Sequence, residues 1–171
     1  MATSKWVLDP THSELAFKVK HMMISTVTGY FEQFEGELET DDENFNNASV
    51  EISVDVASIS TNNADRDGHL KSDDFFNAEA FPKMTFKSKS FDGTTLTGDL
   101  TIRDVTKEVA LDVEYNGTAV DPYGQTKSGF EVTGEINRKE FNLSWNAVTE
   151  AGSIVVSDKV KIVGAVQFVK Q

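Results

Sequence analysis

Apolar and polar residues alternate with period two along most of this chain. Val50, Ile52, Val54 and Val56 alternate with Glu51, Ser53 and Asp55, the pattern of a strand with one buried and one solvated face. The same period runs through Leu15-Phe17-Val19, Leu96-Gly98-Leu100-Ile102, Val109-Leu111-Val113-Tyr115, Phe130-Val132-Gly134-Ile136 and Val160-Ile162-Gly164-Val166-Phe168. Between residues 27 and 38 the parity flips, from odd at Val27, Gly29 and Phe31 to even at Phe34, Gly36 and Leu38, which predicts a bulge or bend near Glu32-Gln33. Turn chemistry separates the strands. Asp41 to Asn47 is a polar loop, Asp92-Gly93 and Asn116-Gly117 are tight-turn pairs, and Asp121-Pro122-Tyr123-Gly124 carries Pro and Gly at turn spacing. Arg103 to Lys107 joins two strands closely enough for a hairpin.

Seven or eight such strands with short turns predict an all-β domain, a barrel or a sandwich. Glycine at the inward positions 29, 36, 98, 134 and 164 tilts the choice to a small closed barrel, because inward glycine relieves crowding and lets strands coil. One segment breaks the alternation. Residues 62–72 predict a short helix capped by Thr61 or Asn62, with Asp65, Arg66 and His69 on one face and Asp67 and Lys71 as a solvent-exposed pair. Phe75, Phe76 and Phe81 follow, then Pro82 ends any helix. A helix and a Phe-rich loop inserted into a barrel predict a cover over one open end.

Composition narrows the function. The 171 residues are 39% hydrophobic and 26% charged, as in an ordinary globular domain, with no linker or internal repeat to divide it. Twelve Phe against two Trp and three Tyr supply apolar surface without polar handles, suited to a large core or an apolar cavity. A net charge of −12 argues against nucleic acid and anionic membrane surfaces as partners. No cysteine means no disulfide, thiolate nucleophile or Cys-ligated zinc. The first residues lead straight into strand-like sequence, without a basic segment and apolar run. The expected location is the cytoplasm, or the periplasm for a mature form placed behind a start Met, and no stable membrane insertion is expected.

Candidate chemistry is sparse. His12, His21 and His69 are the three histidines; with Glu14, Asp65 and Asp67 they offer metal-ligand types, but at no spacing that metal sites favour. The favoured reading is a hydrogen-bonded polar cluster of His12, Arg66 and His69 that fixes the helix to the barrel rim; contact with a ligand head group is the alternative. There is no nucleophile elbow, Ser-His-Asp arrangement, phosphate-cradling loop or dinucleotide fingerprint. The acid pairs Asp41-Asp42 and Asp73-Asp74 lie in loop-like sequence where solvation is the expected state. Trp145, in a stretch without alternation, is expected to plug a barrel end. These residues describe a binder better than an enzyme, and no cofactor is expected.

Several motifs together resemble the YceI-like, polyisoprenoid-binding family. They are Trp6 to Ser13, Arg66-Asp67-Gly68-His69-Leu70, Asp74-Phe75-Phe76 through Phe81-Pro82-Lys83-Met84-Thr85-Phe86, Leu96 to Lys107, Gly129-Phe130 through Ile136-Asn137-Arg138, and Val160-Lys161-Ile162. The resemblance runs along nearly the whole chain in order. It implies an eight-stranded, lipocalin-like antiparallel β-barrel, often dimeric, with an elongated cavity for a polyisoprenoid, a prenylated quinone or its precursor, or a fatty-acid-like chain. Many members carry a signal peptide, and none is expected from the first residues here.

The ligand class agrees with the physics. An eight-stranded barrel is near the size at which the interior either fills or holds one small ligand. Ten buried methylenes at about 0.8 kcal/mol each supply about 8 kcal/mol, near micromolar affinity before costs. The expected lining is Phe17, Val19, Phe31, Leu100, Leu111, Val113, Phe130, Ile136 and Ile162, with Phe75, Phe76 and Phe81 as the cover. Two competing readings are a protein-interaction or stress-related module with a filled barrel, and an enzyme using His12, Arg66 and His69 on an apolar substrate.

Overall fold

The computed structural model describes residues 3–22, 24–41, 44–143, 145 and 156–171. Met1 and Ala2, Asp42 and Glu43 of the polar loop, and Ser144 and Asn146 beside Trp145 lie outside them, and with them parts of the expectations for those segments. The strands are β1 (Ser4–Leu8), β2 (Glu14–His21), β3 (Ser25–Phe31), β4 (Phe34–Thr40), β5 (Ser49–Asp55), β6 (Ile59–Ser60), β7 (Lys83–Phe91), β8 (Thr95–Ile102), β9 (Val105–Val120), β10 (Thr126–Asn137) and β11 (Val156–Lys170). The helix α1 spans Ala64–Lys71.

Every strand pairs antiparallel with its neighbours. The order β1-β4-β5-β7-β8-β9-β10-β11, with β11 back on β1, closes an eight-stranded barrel. Three of its walls are strands broken in two. A single 3₁₀ turn at Pro10–His12 separates β1 from β2, and both halves pair with β11 on one side. Glu32-Gln33 separates β3 from β4, which pair with β2 and β1 respectively. A turn at Val56–Ser58 separates β5 from β6. The parity flip of residues 27–38 is therefore a bend, at which one wall strand turns and resumes beside the other halves of the same neighbouring walls.

Alternation sets which residues face inward. Val50, Val54, Leu96, Leu100, Ile102, Leu111, Phe130, Ile136, Val166 and Phe168 are all buried, while Glu51, Lys87, Glu108 and Glu131 between such positions are exposed. Arg103-Asp104 makes the two-residue β8–β9 turn, with Ile102 opposite Val105, and Asp92 accepts the amides of Thr94 and Thr95 to close β7–β8.

Four local expectations fail. Asn116-Gly117 makes no turn. It lies within β9, where Gly129 faces Gly117 but Phe130 faces Tyr115, so Asn116 is the extra residue of a bulge and Gly117 takes φ +116°. The loop at 41–47 is not wholly polar, since Phe45 inserts from it into the barrel and is 2% exposed. The helix cap is Asn63, whose side chain accepts from the Arg66 amide, rather than Thr61 or Asn62. Asp67 does not pair with Lys71; it turns back to accept the backbone N–H and the hydroxyl of Thr61 at 2.8 and 2.5 Å.

Candidate functional site

The two ends of the barrel are built differently. At one end the interior is packed shut. Phe45 meets Trp6 and Phe130 edge-on at 5.2 Å each, Tyr115 lies 5.2 Å from Phe130, and Ser128, fully buried, bonds the Thr118 hydroxyl at 2.6 Å. Edge-on aromatic contacts of this kind stabilise beyond the area they bury. From this plug a cavity of about 460 Å³ runs toward the opposite end, within the range of ligand-binding sites.

Its walls are almost wholly apolar. Of the residues expected to line it, Phe17, Val19, Phe31, Leu100, Leu111, Val113, Phe130, Ile136 and Ile162 all do, as do Phe75 and Phe76 of the cover. Many inward positions in this part of the barrel, among them Phe17, Val19, Ile52, Val109, Val113, Val132, Val160 and Ile162, are only half-buried. Residues of inward parity retain exposure only where the space in front of them is open, so the half-burial marks the lumen itself.

Glycine keeps that lumen clear by a route the alternation does not disclose. Gly29 leaves no gap: it faces Phe17 across the β2–β3 pair, and the Phe17 ring lies on it, where a Cβ would clash with the ring. Leu111 lies on Gly134 in the same way. Large side chains thus fold flat against the wall instead of standing into the barrel.

The open end is ringed by the β2–β3 hairpin, α1 with its Phe-rich loop, and the chain that follows β10. Phe76 meets Phe31 edge-on at 6.0 Å, and the Phe75 ring packs at a tilt on Trp145 at 5.4 Å. Trp145 lines the cavity as part of this cover. Phe81 does not. Its ring sits 5.5 Å from the guanidinium of Arg103, away from the lumen lining. Arg103 donates to the Asp73 and Phe75 carbonyls at 3.1 Å each and pairs with the Asp73 carboxylate, so the β8–β9 turn holds the Phe-rich loop down.

The expected polar cluster does not form. His12 lies at the plugged end, with Nδ1 2.8 Å from Asp9, while Arg66 and His69 stand at the open end. Arg66 and His69 share a helical face but not a bond. The Arg66 Nε and Nη2 donate to the hydroxyl and carbonyl of Thr61 at 2.7 Å each; His69 Nε2 meets Asp74 at 2.8 Å and its ring packs 4.8 Å from Trp145. Arg66 is instead held by Thr61, just before α1, and His69 by Asp74.

The buried guanidinium is Arg138, which the sequence reading passed over. It is 2% exposed and lines the cavity. It donates to four carbonyls: Nε to Ser157 at 2.8 Å, Nη1 to Trp145 at 2.8 Å and to Leu143, and Nη2 to Val156 at 3.3 Å. Burial pulls it below the usual guanidinium range, against the field of nearby Asp158. Its signal was available. Arg138 continues the even parity of Phe130, Val132, Gly134 and Ile136 directly into the mouth.

A second depression, at the plugged end, is lined by Asp9, His12, Asp121, Tyr123 and Lys127. Its charges satisfy one another, with Lys127 2.9 Å from Asp9 and 3.7 Å from Asp121. Among the described residues no three of His, Asp or Glu are grouped to hold a metal ion, and no helix is long and apolar enough to cross a membrane.

Known proteins with this architecture supply the family. A profile of the YceI-like domain matches residues 6–168. A UPF0312 protein of Staphylococcus epidermidis is 39% identical over 166 residues, covering 96% of this chain and 97% of the relative. BcnA of Burkholderia cenocepacia superposes with a TM-score of 0.79 at 22% identity, over 94% of this chain and 98% of its own. A polyisoprenoid binding domain from Saccharophagus degradans superposes with a TM-score of 0.68 at 17% identity, over 100% and 99%. At those identities the two structures attest the fold alone. The profile and the Staphylococcus relative go further: the chain belongs to the YceI-like family.

Proposed function

We propose that this protein binds the hydrocarbon chain of one lipid inside its barrel, a polyisoprenoid, prenylated quinone or fatty-acid-like chain, and stores or carries it unaltered. The observation that carries this reading is the lumen: about 460 Å³, apolar along its length, running from the aromatic plug to the cover of α1, Phe75, Phe76 and Trp145. Such a tube stabilises a chain by removing its methylenes from water, at about 0.8 kcal/mol each, and needs no specific polar contact along the tail. Discrimination between tails is correspondingly weak. The polyisoprenoid binding domain of Saccharophagus degradans, which shares the fold, fits the same ligand class. A filled barrel serving only as an interaction module would have no such space, and with His12 at the far end the three residues of the enzyme reading never meet.

Blocking the lumen tests this. Val113 faces the cavity from the middle of β9 and is half-buried. Val113→Trp is expected to lower uptake of a fluorescent prenyl or acyl probe at least ten-fold while the far-ultraviolet circular dichroism stays unchanged. Full uptake by a folded Val113→Trp protein would contradict an internal site.

A further inference from the structure

Among the described residues, the charged side chains that line the lumen are all cations. Among the described residues that line it, every ionisable side chain is a cation or an imidazole: Lys20, His21, Arg66, His69 and Arg138. No Asp or Glu is among them. In a chain of 28 acidic and 16 basic residues, this reverses the average.

These groups belong to one end of the barrel. His21 pairs with Val156, the Lys20 amide donates to the Ser157 hydroxyl, and the Ser157 carbonyl takes Arg138 Nε. Arg138 Nη1 in turn reaches the Trp145 carbonyl, and the Trp145 ring packs on His69, one turn along α1 from Arg66. Lys20 contributes charge from the outer side, where its Nζ donates to Thr26 at 2.9 Å. Neither Lys20, Arg66 nor Arg138 has a carboxylate within ion-pair distance among the described residues.

Arg66 is the group prepared for a ligand. Asp67 accepts the Thr61 hydroxyl proton, which turns the Thr61 oxygen toward Arg66 Nε, while the Thr61 carbonyl takes Nη2. Two anchored nitrogens fix the guanidinium plane, and Nη1 meets no acceptor among the described residues. A guanidinium held in this way has lost its rotamer freedom before any ligand arrives, so a charge-assisted bond to it forms at reduced entropic cost.

We propose that the mouth of the lumen receives an anionic head group, a carboxylate or a phosphate, with Arg66 as its principal donor and the amphiphile's tail in the barrel. This rests on the lumen being the lipid site and names the class of lipid it takes. An alcohol or carbonyl head could offer Arg66 only a neutral acceptor, and an ammonium head none, so each forgoes the ion pair that a carboxylate or phosphate makes.

The test compares ligands that share one tail. Delipidated protein is titrated, below the micellar concentration, with hexadecanoic acid, hexadecyl phosphate, hexadecanol and hexadecylamine. The acid and the phosphate are expected to bind about ten-fold or more tighter than the alcohol and the amine, and whichever of the two leads identifies the head. Arg66→Gln should erase most of that preference, whereas Arg66→Lys should keep part of it; thermal melts establish that both variants fold. Equal binding of acid and alcohol, or an unchanged preference in Arg66→Gln, would overturn the head-group assignment and leave the lumen site standing. Binding of none of the four would overturn both.

Discussion

Replacing Arg138 by alanine is the perturbation for which the structure makes its largest claim on stability. The guanidinium is 2% exposed and donates to the carbonyls of Leu143, Trp145, Val156 and Ser157, joining the chain that leaves β10 to the start of β11. Alanine strips four buried or half-buried acceptors of their donor and opens a hole beneath the mouth. Each buried acceptor left without its donor costs about 1–3 kcal/mol, less where water can enter from the mouth, which gives about 3–5 kcal/mol in all. For a domain of this size each kcal/mol lowers the melting temperature by about 2–4 °C, so a fall of about 10 °C is expected. Arg66→Ala is the control, because Arg66 is exposed and loses two bonds to one threonine, about 1 kcal/mol and a few degrees. Arg138→Lys keeps the charge but cannot span four carbonyls, and should fall between the two. The assay is thermal unfolding of delipidated protein followed by circular dichroism. An Arg138→Ala protein that melts within 2 °C of the parent, or below which Arg66→Ala falls, would refute the assignment of Arg138 as the structural cation.

Partial burial acts to raise the Asp9 carboxyl, but hydrogen bonds from Lys127, Thr11 and His12 outweigh it and hold Asp9 well below the usual carboxylate range. A depressed carboxyl stabilises the fold above its unfolded value near 4 and loses that contribution as pH falls, so Asp9→Asn should cost about 1–2 kcal/mol at pH 7 and progressively less between pH 4 and pH 2; a pH-independent difference in unfolding free energy would contradict this. Gly29→Ala places a methyl in the Phe17 ring, which must then swing into the lumen; probe affinity should fall several-fold and stability by about 1–3 kcal/mol, and an unchanged affinity would mean that the ring does not border the ligand path.

Much of the barrel was legible because strand parity is a local property. Each run from Val50 to Phe168 declared its own inward face, and the inward residues of eight walls, once closed, became the lumen without further information. Events that depend on partners were less visible. Nothing local distinguishes an Asn-Gly turn from an Asn-Gly bulge; at 116–117 the long β9–β10 pairing on both sides decides it. Phe45 has no periodic neighbour to place it, and its role comes from Trp6 and Phe130, distant in sequence. The His12, Arg66 and His69 grouping failed for the same reason, since helix period places two side chains on a face but does not say which distant strand end faces them. Arg138 was within reach: parity carried it inward, and a buried arginine at the end of an inward row marks where the apolar wall stops.

Native mass spectrometry of the protein purified without detergent tests the central claim most directly. The account predicts one lipid-sized adduct per chain, lost on collisional activation, absent from Val113→Trp and with an acidic head group in the extracted molecule. A bare chain that also remains bare after incubation with a total lipid extract would contradict it.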